Sequence, residues 1–289
     1  MSSPSTKFSA KLDEKQRKAL VSLLADEDAA VYRAVRQKIL SCGPIAAQWV
    51  REHCLSNDPV LRRHAQEISH FFSRQDADTQ LLAFCLNQGE DFDLEQGALL
   101  LARTQYPDIN IEAYRAWLDR MAGELRERLD LSGDPVQILG VMADYLFTEQ
   151  RFTGDETNFH DPDNSYLNRV LDRRKGNHIS LSVLYLLVAR RLGLPVSGIA
   201  LPGYFVCRYQ SSRQEIYIDP FRKGRLLAKA DCVKYVVQLQ HRFDESCLAP
   251  VSARRILLRI CANLHQIYTH LRSPAQSERL QRYLVALAK

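Results

Sequence analysis

Residues 179–209 read ISLSVLYLLVARRLGLPVSGIALPGYFVCRY and combine a very apolar helix with the start of a sheet. Ile179–Leu192 is apolar almost all round, and a helix without a polar face must be covered by other elements. The Gly-Leu-Pro sequence near its end favours helix termination. Val196–Leu201 and Tyr204–Tyr209 are short, rich in β-branched and aromatic residues, and separated by a Pro-Gly pair. These features predict a buried helix followed by antiparallel strands.

A third strand follows the second through a polar turn. Glu215–Asp219 comes directly after Ser-Ser-Arg-Gln and is stopped by Pro220. Two short strands joined by a short polar connection are typical of a β-hairpin. We therefore expect a small antiparallel sheet of three strands within residues 196–219.

The rest of the chain shows apolar residues at helical spacing. In Lys15–Ser73, LLADEDAAVYRAVRQKILSCG and CLSNDPVLRRHAQEI echo each other weakly and resemble HEAT repeats, with a plain helical bundle as the alternative. The apolar stripe from Ile256 to Leu271, with a helix at Ser277–Leu287, resembles one tetratricopeptide-like hairpin. Further helices are predicted at Thr79–Asn87, Leu94–Thr104, Ile111–Leu129, Val136–Phe147 and Asn164–Arg173. The predicted fold class is α+β and predominantly helical.

The composition is that of an ordinary globular protein, with 289 residues of which 46% are hydrophobic and 25% charged. Seven cysteines are scattered without a Cys-x-x-Cys pair, which favours reduced thiols over disulfides or a zinc ribbon. No apolar run reaches the length of a membrane span, and Met1–Ala10 lacks a hydrophobic signal core. We expect a flexible tail at residues 1–13 and a cytoplasmic protein that uses no membrane, metal or cofactor.

Positive charge is concentrated in residues 169–225. This basic segment has eleven basic and three acidic residues, a net charge of +8, whereas the whole chain carries +5. A local positive field favours an anionic ligand, and a solvated basic face is the alternative. No helix-turn-helix or RNA-binding signature is present. The sequence therefore argues against nucleic acid as a partner and leaves a small anionic ligand open.

Two stretches are similar to the SirB-type transglutaminase-like family. They are NSYLNRVLDRRKGNHISLSVLYLLVARRLGLPVSGIALPGYFVCRY at residues 164–209 and IYIDPFRKGRLL at residues 216–227. The segment DFDLEQGALLLARTQYPDINIEAYRAWLDRMAGEL resembles the helical lead-in of that family. The resemblance implies a transglutaminase-like core with its lead-in at residues 89–230. A HEAT-like region at 14–88 precedes it and tetratricopeptide-like helices at 231–289 follow it.

Active members of such folds resemble papain in their chemistry. A cysteine sits at the N-terminus of the buried helix, where the helix dipole favours the thiolate, and a histidine and an aspartate complete the triad. The resemblance places these three positions at His178, Tyr204 and Asp219, so only the aspartate is retained. Family members typically have Pro-Gly-His where this chain has Pro-Gly-Tyr. Cys207 has the opposite strand parity to Tyr204, so its side chain is expected to point away from the site.

Ser180 is an alternative nucleophile, because a shift of two residues would place it at the cysteine position with His178 as the base. The other interpretation is that Ser180 or Asn177 caps the helix. Tyr204 is a poor base, since a phenol has an unperturbed pKa of about 10. We expect its hydroxyl to bond Asp219 or His178.

The sequence therefore predicts a non-catalytic transglutaminase-like protein that serves as a protein- or peptide-binding or scaffolding module. One alternative is an amide hydrolase or transferase that uses Ser180 or His178 with Asp219. Another is an anion- or nucleic-acid-binding protein that uses the basic segment. We expect the retained groove to hold a peptide or a small anion. Its candidate lining residues are Asn164, Asn168, Arg173, Arg174, His178, Tyr204 and Asp219.

Overall fold

The computed structural model describes residues 12–90, 92–238, 240 and 242–289. The first eleven residues of the predicted flexible tail lie outside this range. The chain divides into two compact units, residues 1–78 and 79–289. The finer division at residues 88 and 230 stays a prediction.

The described part of the first unit is helical. Its elements are α1 (Glu14–Ser22), α2 (Ala29–Ser41), α3 (Ala46–Arg51) and the start of α4 (Pro59–Asn87). Asp13 and Asp28 begin α1 and α2, because each carboxylate accepts a backbone N–H of the first turn. The apolar core of the unit contains Val21, Leu24, Val35, Ile39, Val50, Ile68 and Phe72. Its resemblance to HEAT repeats stays a prediction.

α4 continues without interruption from Pro59 to Asn87. The sequence pattern predicts a helix end at Ser73 and a new start at Thr79, and this boundary is wrong. Four of the intervening residues 74–78 are polar, the fifth is the buried Ala77, and none is glycine or proline. Polar residues without a breaker do not end a helix, since their side chains can simply face the solvent.

The second unit surrounds the predicted buried helix, α9. Its helices are α5 (Leu94–Gln105), α6 (Ile111–Arg126), α7 (Pro135–Ala143), α8 (Leu167–Arg173), α9 (His178–Arg191), α10 (Lys229–Gln238), α11 (Ala253–His270) and α12 (Pro274–Leu287). A π-helical turn, Asp144–Glu149, extends α7. Every residue from His178 to Ala189 is buried, and α6, α11 and the sheet pack against this helix. This covering explains why α9 has no polar face.

The strands form two sheets. They are β1 (Thr153–Gly154), β2 (Lys175–Gly176), β3 (Val196–Ile199), β4 (Val206–Gln210), β5 (Glu215–Asp219) and β6 (Arg225–Leu227). β1 and β2 form a short parallel pair, and the other strands form an antiparallel sheet in the order β3-β4-β5-β6. The predicted strands are present, whereas β6 and the β1–β2 pair were not foreseen because two- or three-residue strands leave little pattern.

The predicted fold class, a predominantly helical α+β protein with a small antiparallel sheet, is confirmed. Among the described residues, no helix is both long and apolar enough to cross a lipid bilayer.

Candidate functional site

The N-terminus of α9 is fixed by its own polar side chains. The Asn177 side chain accepts the backbone N–H groups of Ile179 and Ser180 at 2.9 Å each. The Ser180 hydroxyl accepts the Asn177 N–H at 3.0 Å, which completes a capping box. It also donates to the Asn164 carbonyl at 2.6 Å. Within the described residues no imidazole or carboxylate bonds this hydroxyl, so the structure gives Ser180 a capping role and does not support it as a nucleophile.

His178, which the resemblance predicts at the nucleophile position, is the first residue of α9. Its ring stacks on Tyr204, with centroids 4.9 Å apart, and meets Phe221 edge-on at 6.5 Å. The residue is 6% exposed, and its Nδ1 atom has no hydrogen-bond partner in the described part of the chain. Burial, aided by the positive charge of Arg259, lowers the pKa of His178 to about 4. His178 is therefore a neutral imidazole at neutral pH.

Asp219 is the centre of a buried hydrogen-bond network. The Tyr204 hydroxyl donates to both carboxylate oxygens, at 3.2 and 3.1 Å, and the Tyr235 hydroxyl donates to one of them at 3.0 Å. The backbone N–H of Arg222 donates at 3.2 Å. Burial raises the pKa of Asp219 while these donors oppose the shift.

Tyr204 donates to Asp219, as predicted, and its raised pKa disfavours a role as a base. Burial is the main cause of its raised pKa, and the Asp219 carboxylate adds to the effect. A phenol that stays protonated cannot take a proton from a nucleophile. Tyr204 is thus a hydrogen-bond donor at this site.

None of the described cysteines bonds a histidine or Asp219. Cys207 lies on β4 opposite Ile218, and its thiol donates weakly to the Ser182 carbonyl at 3.6 Å. Burial raises the pKa of Cys207 and of Cys261, which favours the unreactive thiol over the thiolate. In the described ranges no cluster of histidine, cysteine or acidic side chains could hold a metal ion.

Two of the predicted ligand-binding residues are buried asparagines. The Asn164 amide donates to Asp155 at 3.3 Å and to the Asn158 carbonyl at 3.0 Å. The side-chain oxygens of Asn164 and Asn168 have no partner among the described residues. Both residues are almost completely buried, so they brace the loop and helix before α9 and offer little surface to a ligand.

Arg173 and Arg174 are committed to structural contacts. Arg173 forms ion pairs with Asp161 at 2.7 Å and with Asp163 at 3.2 Å. Arg174, in the left-handed conformation with φ of 55°, donates to the Gln150 carbonyl at 2.8 Å. The structure does not support these two arginines as groove residues beside His178.

Other arginines of the basic segment are also neutralised. The additional ion pairs are Arg169–Asp163, Arg191–Glu95, Arg191–Asp119 and Arg208–Glu215. Most of these acids lie outside residues 169–225, so the net charge of the segment overstates the field that a partner would meet.

Arg259, on α11, also belongs to this site, although it is not among the residues predicted from the sequence. It is partly buried and has no hydrogen bond or ion pair with any described residue. Burial lowers its pKa with no acidic neighbour to oppose the shift. One turn further along α11, Asn263 donates to the Ser165 hydroxyl, which also accepts from Asn177. This face of α11 therefore lies against the start of α9.

A cleft of about 730 Å³ lies at the other end of α9. Apolar side chains from the starts of α5 and α11, the end of α9 and β3 line it, among them Phe92, Leu186, Leu187, Leu194, Val196, Val251 and Ile256. Arg190 and Arg208 also line it. The Arg190 side chain is 70% exposed, and its ion pair with Asp93 is long, at 3.9 Å. The Nε atom of Arg208 has no partner within the described chain.

Comparisons with known proteins agree with this architecture. The UPF0162 protein of Xylella fastidiosa (strain 9a5c) is 36% identical over 188 residues, which are 63% of this chain and 66% of the relative. That of Vibrio cholerae is 32% identical over 46% of this chain and 50% of its own length. Human F-box only protein 21 is 27% identical over 70% of this chain but only 36% of its own length.

The chain thus spans at most about two thirds of these relatives. No solved structure shows a significant match. The model of the transglutaminase-like superfamily matches residues 112–262, slightly more than half of the chain. This range includes α9, the antiparallel sheet and the His178, Tyr204 and Asp219 positions. The chain therefore belongs to the transglutaminase-like superfamily.

Proposed function

We propose that this chain is a non-catalytic transglutaminase-like protein of the SirB type that binds a peptide segment of a partner protein. The observation that carries the proposal is the closed network at the three triad positions. His178 replaces the nucleophile, Tyr204 covers it by stacking, and Asp219 binds two phenols. Catalysis needs a nucleophile and a base in contact, and these contacts provide neither.

The cleft beside β3 supports binding rather than chemistry. Its volume and apolar lining are those of a site for small side chains, and Arg190 at its edge is exposed with only a long contact to Asp93. An exposed arginine beside an apolar cleft complements a segment that combines an apolar side chain with an acidic group. We therefore place the peptide in this cleft. The sequence had instead predicted a binding groove at His178. The helical first unit, interpreted as HEAT-like, would add a scaffolding surface.

A peptide-display library panned on the intact protein tests the binding proposal. We expect enriched sequences with an apolar residue next to Asp or Glu. An Arg190→Glu variant should lose this enrichment, because it reverses the charge at the cleft. The matched control is Arg213→Glu, which changes an exposed arginine in the β4–β5 turn. Equal enrichment on both variants, or no enrichment on the wild type, would contradict the proposal.

The absence of catalysis has its own test. An enriched peptide that contains glutamine is incubated with the protein and putrescine, and its mass is measured. We expect an unchanged mass, and we expect Cys207 and Cys261 to react with iodoacetamide more slowly than the partly exposed Cys42, Cys54 and Cys247, because burial raises the pKa of Cys207 and Cys261. Cleavage or amine transfer would show that the protein is an enzyme, and alkylation of Cys207 before the partly exposed thiols would contradict the non-catalytic proposal.

A further inference from the structure

An uncompensated charge lies beside the start of α9. Arg259 is partly buried, and it has neither an acidic partner nor a hydrogen bond within the described residues. Arginines withdrawn from water are normally paired, because the desolvation of an unpaired guanidinium is costly. A counter-charge from outside the described chain would remove this cost.

Two further groups at this place lack partners. His178 is only 6% exposed, and its Nδ1 atom has no partner in the described part of the chain. Its backbone N–H has no acceptor among the described residues either, whereas those of Ile179 and Ser180 are bonded to Asn177. The end of a 14-residue helix contributes a positive partial charge here as well. An unpaired guanidinium, imidazole and amide are thus found at one end of one helix.

We propose that Arg259 and His178 form a binding site for a carboxylate group at the N-terminus of α9. The planar guanidinium of Arg259 offers two parallel donors, which match the two oxygens of a carboxylate. The neutral imidazole of His178 adds a donor without adding a second charge, so a singly charged anion balances the site.

This site is separate from the peptide cleft. His178 and Arg190 are twelve residues apart on α9, and a rise of 1.5 Å per residue places them about 18 Å from each other. A small carboxylate ligand at Arg259 and a peptide in the cleft could therefore bind independently, and either proposal can fail alone.

Calorimetry and thermal unfolding with N-acetylglycinate test the carboxylate site, with sodium chloride added to keep the ionic strength constant. We expect saturable binding and a rise in Tm for the wild type. The Arg259→Gln variant should bind at least about tenfold more weakly, because it loses a charge-assisted bidentate contact. The matched control, Arg255→Gln, removes an exposed arginine one turn earlier on α11 and should bind like the wild type.

Ligand-free stability provides a second measurement on the same variants. Arg259→Gln should raise the Tm without ligand, because it removes a partly buried charge that has no partner. Equal binding by wild type and Arg259→Gln would overturn the proposal, as would no binding by the wild type. Inorganic phosphate in place of N-acetylglycinate checks the ligand class, and binding of phosphate alone would also overturn it.

Discussion

At the residue scale, the identity of the residue at position 178 decides what the start of α9 can do. A cysteine there would gain from the helix dipole, whereas a buried imidazole gains nothing from becoming charged. Tyr204, Phe221 and Arg259 face His178, and none of them carries a negative charge that would pair with an imidazolium ion. The residue therefore responds to pH in the opposite sense to a catalytic histidine paired with a carboxylate.

The stability of the protein should fall in acid because of His178. Its pKa is lowered from 6.5 to about 4 on folding, so the unfolded state binds more protons between these values. The stabilisation is complete above pH 6.5 and is lost as the pH falls toward 4, by roughly 3 kcal/mol in all. Urea unfolding at a series of pH values measures this slope.

A His178→Gln variant should flatten this pH dependence. The matched control, His160→Gln, removes an exposed imidazole and should leave the slope in place. An unchanged slope in His178→Gln would mean that the imidazole is not buried in its neutral form.

The Asp219 network should contribute to stability rather than to activity. Asp219→Ala leaves the partly buried hydroxyls of Tyr204 and Tyr235 without their shared acceptor, and we expect a loss of about 3 kcal/mol. Tyr235→Phe removes one donor only and should cost about 1 kcal/mol. Urea unfolding at pH 7 checks both values, and an equal loss in the two variants would contradict the network.

At the element scale, β1 lies close to Phe221 of the site, and a substitution at Gly154 tests this contact. A Cβ atom on Gly154 would lie 2.6 Å from the Phe221 ring and 2.8 Å from the Phe221 carbonyl oxygen. The carbonyl cannot move aside easily, so Gly154→Ala should destabilise the protein by about 1–3 kcal/mol.

The matched substitution is Gly123→Ala, in the last turn of α6, where a Cβ atom meets nothing within 4 Å. It should stabilise the protein by about 0.5–1 kcal/mol, because alanine favours the helix. Thermal unfolding of the two variants measures the contrast, and destabilisation by both would show that Gly154 has no special contact.

Helices and strands that are long enough to show a hydrophobic pattern could be predicted from the sequence. The two-residue strands could not. β5 was predicted with its observed limits, Glu215–Asp219, and the buried α9 within one residue at each end. β1 and β2 have two residues each, and their pairing brings together parts of the chain that no local pattern connects. The capping role of Asn177 and Ser180 was one of two readings of the sequence, and only the observed hydrogen bonds select it.

Only part of the candidate site could be predicted, because several of its contacts join residues that are distant in the sequence. The resemblance located His178, Tyr204 and Asp219, and the structure brings them together. Arg173 and Arg174 seemed available because their partners, Asp161 and Gln150, are distant in sequence. Arg259 was missed because its relation to His178 depends on the packing of α11 against α9, although a lone charge between Leu258 and Ile260 is a usable signal.

At the scale of the whole molecule, the second unit has the transglutaminase-like frame, and the proposed function places binding rather than catalysis on it. The buried helix and the sheet are stabilised by packing, which tolerates the exchange of a few polar residues at one helix end. The two proposed sites lie at opposite ends of α9, so the rigid helix fixes the distance between them. A binding function uses this rigidity in the same way as catalysis does, to hold groups at set positions.

The two compact units should respond separately to core mutations, because each has its own cluster of buried side chains. Ile39 and Leu184 are both completely buried, one in each cluster, and replacement by alanine should cost about 2–5 kcal/mol. The chain has two tryptophans, Trp49 in the first unit and Trp117 in the second, so single-tryptophan variants report each unit by fluorescence. Ile39→Ala should shift mainly the Trp49 transition in urea, and Leu184→Ala mainly the Trp117 transition. Equal shifts at both probes would mean that the chain unfolds as one cooperative body.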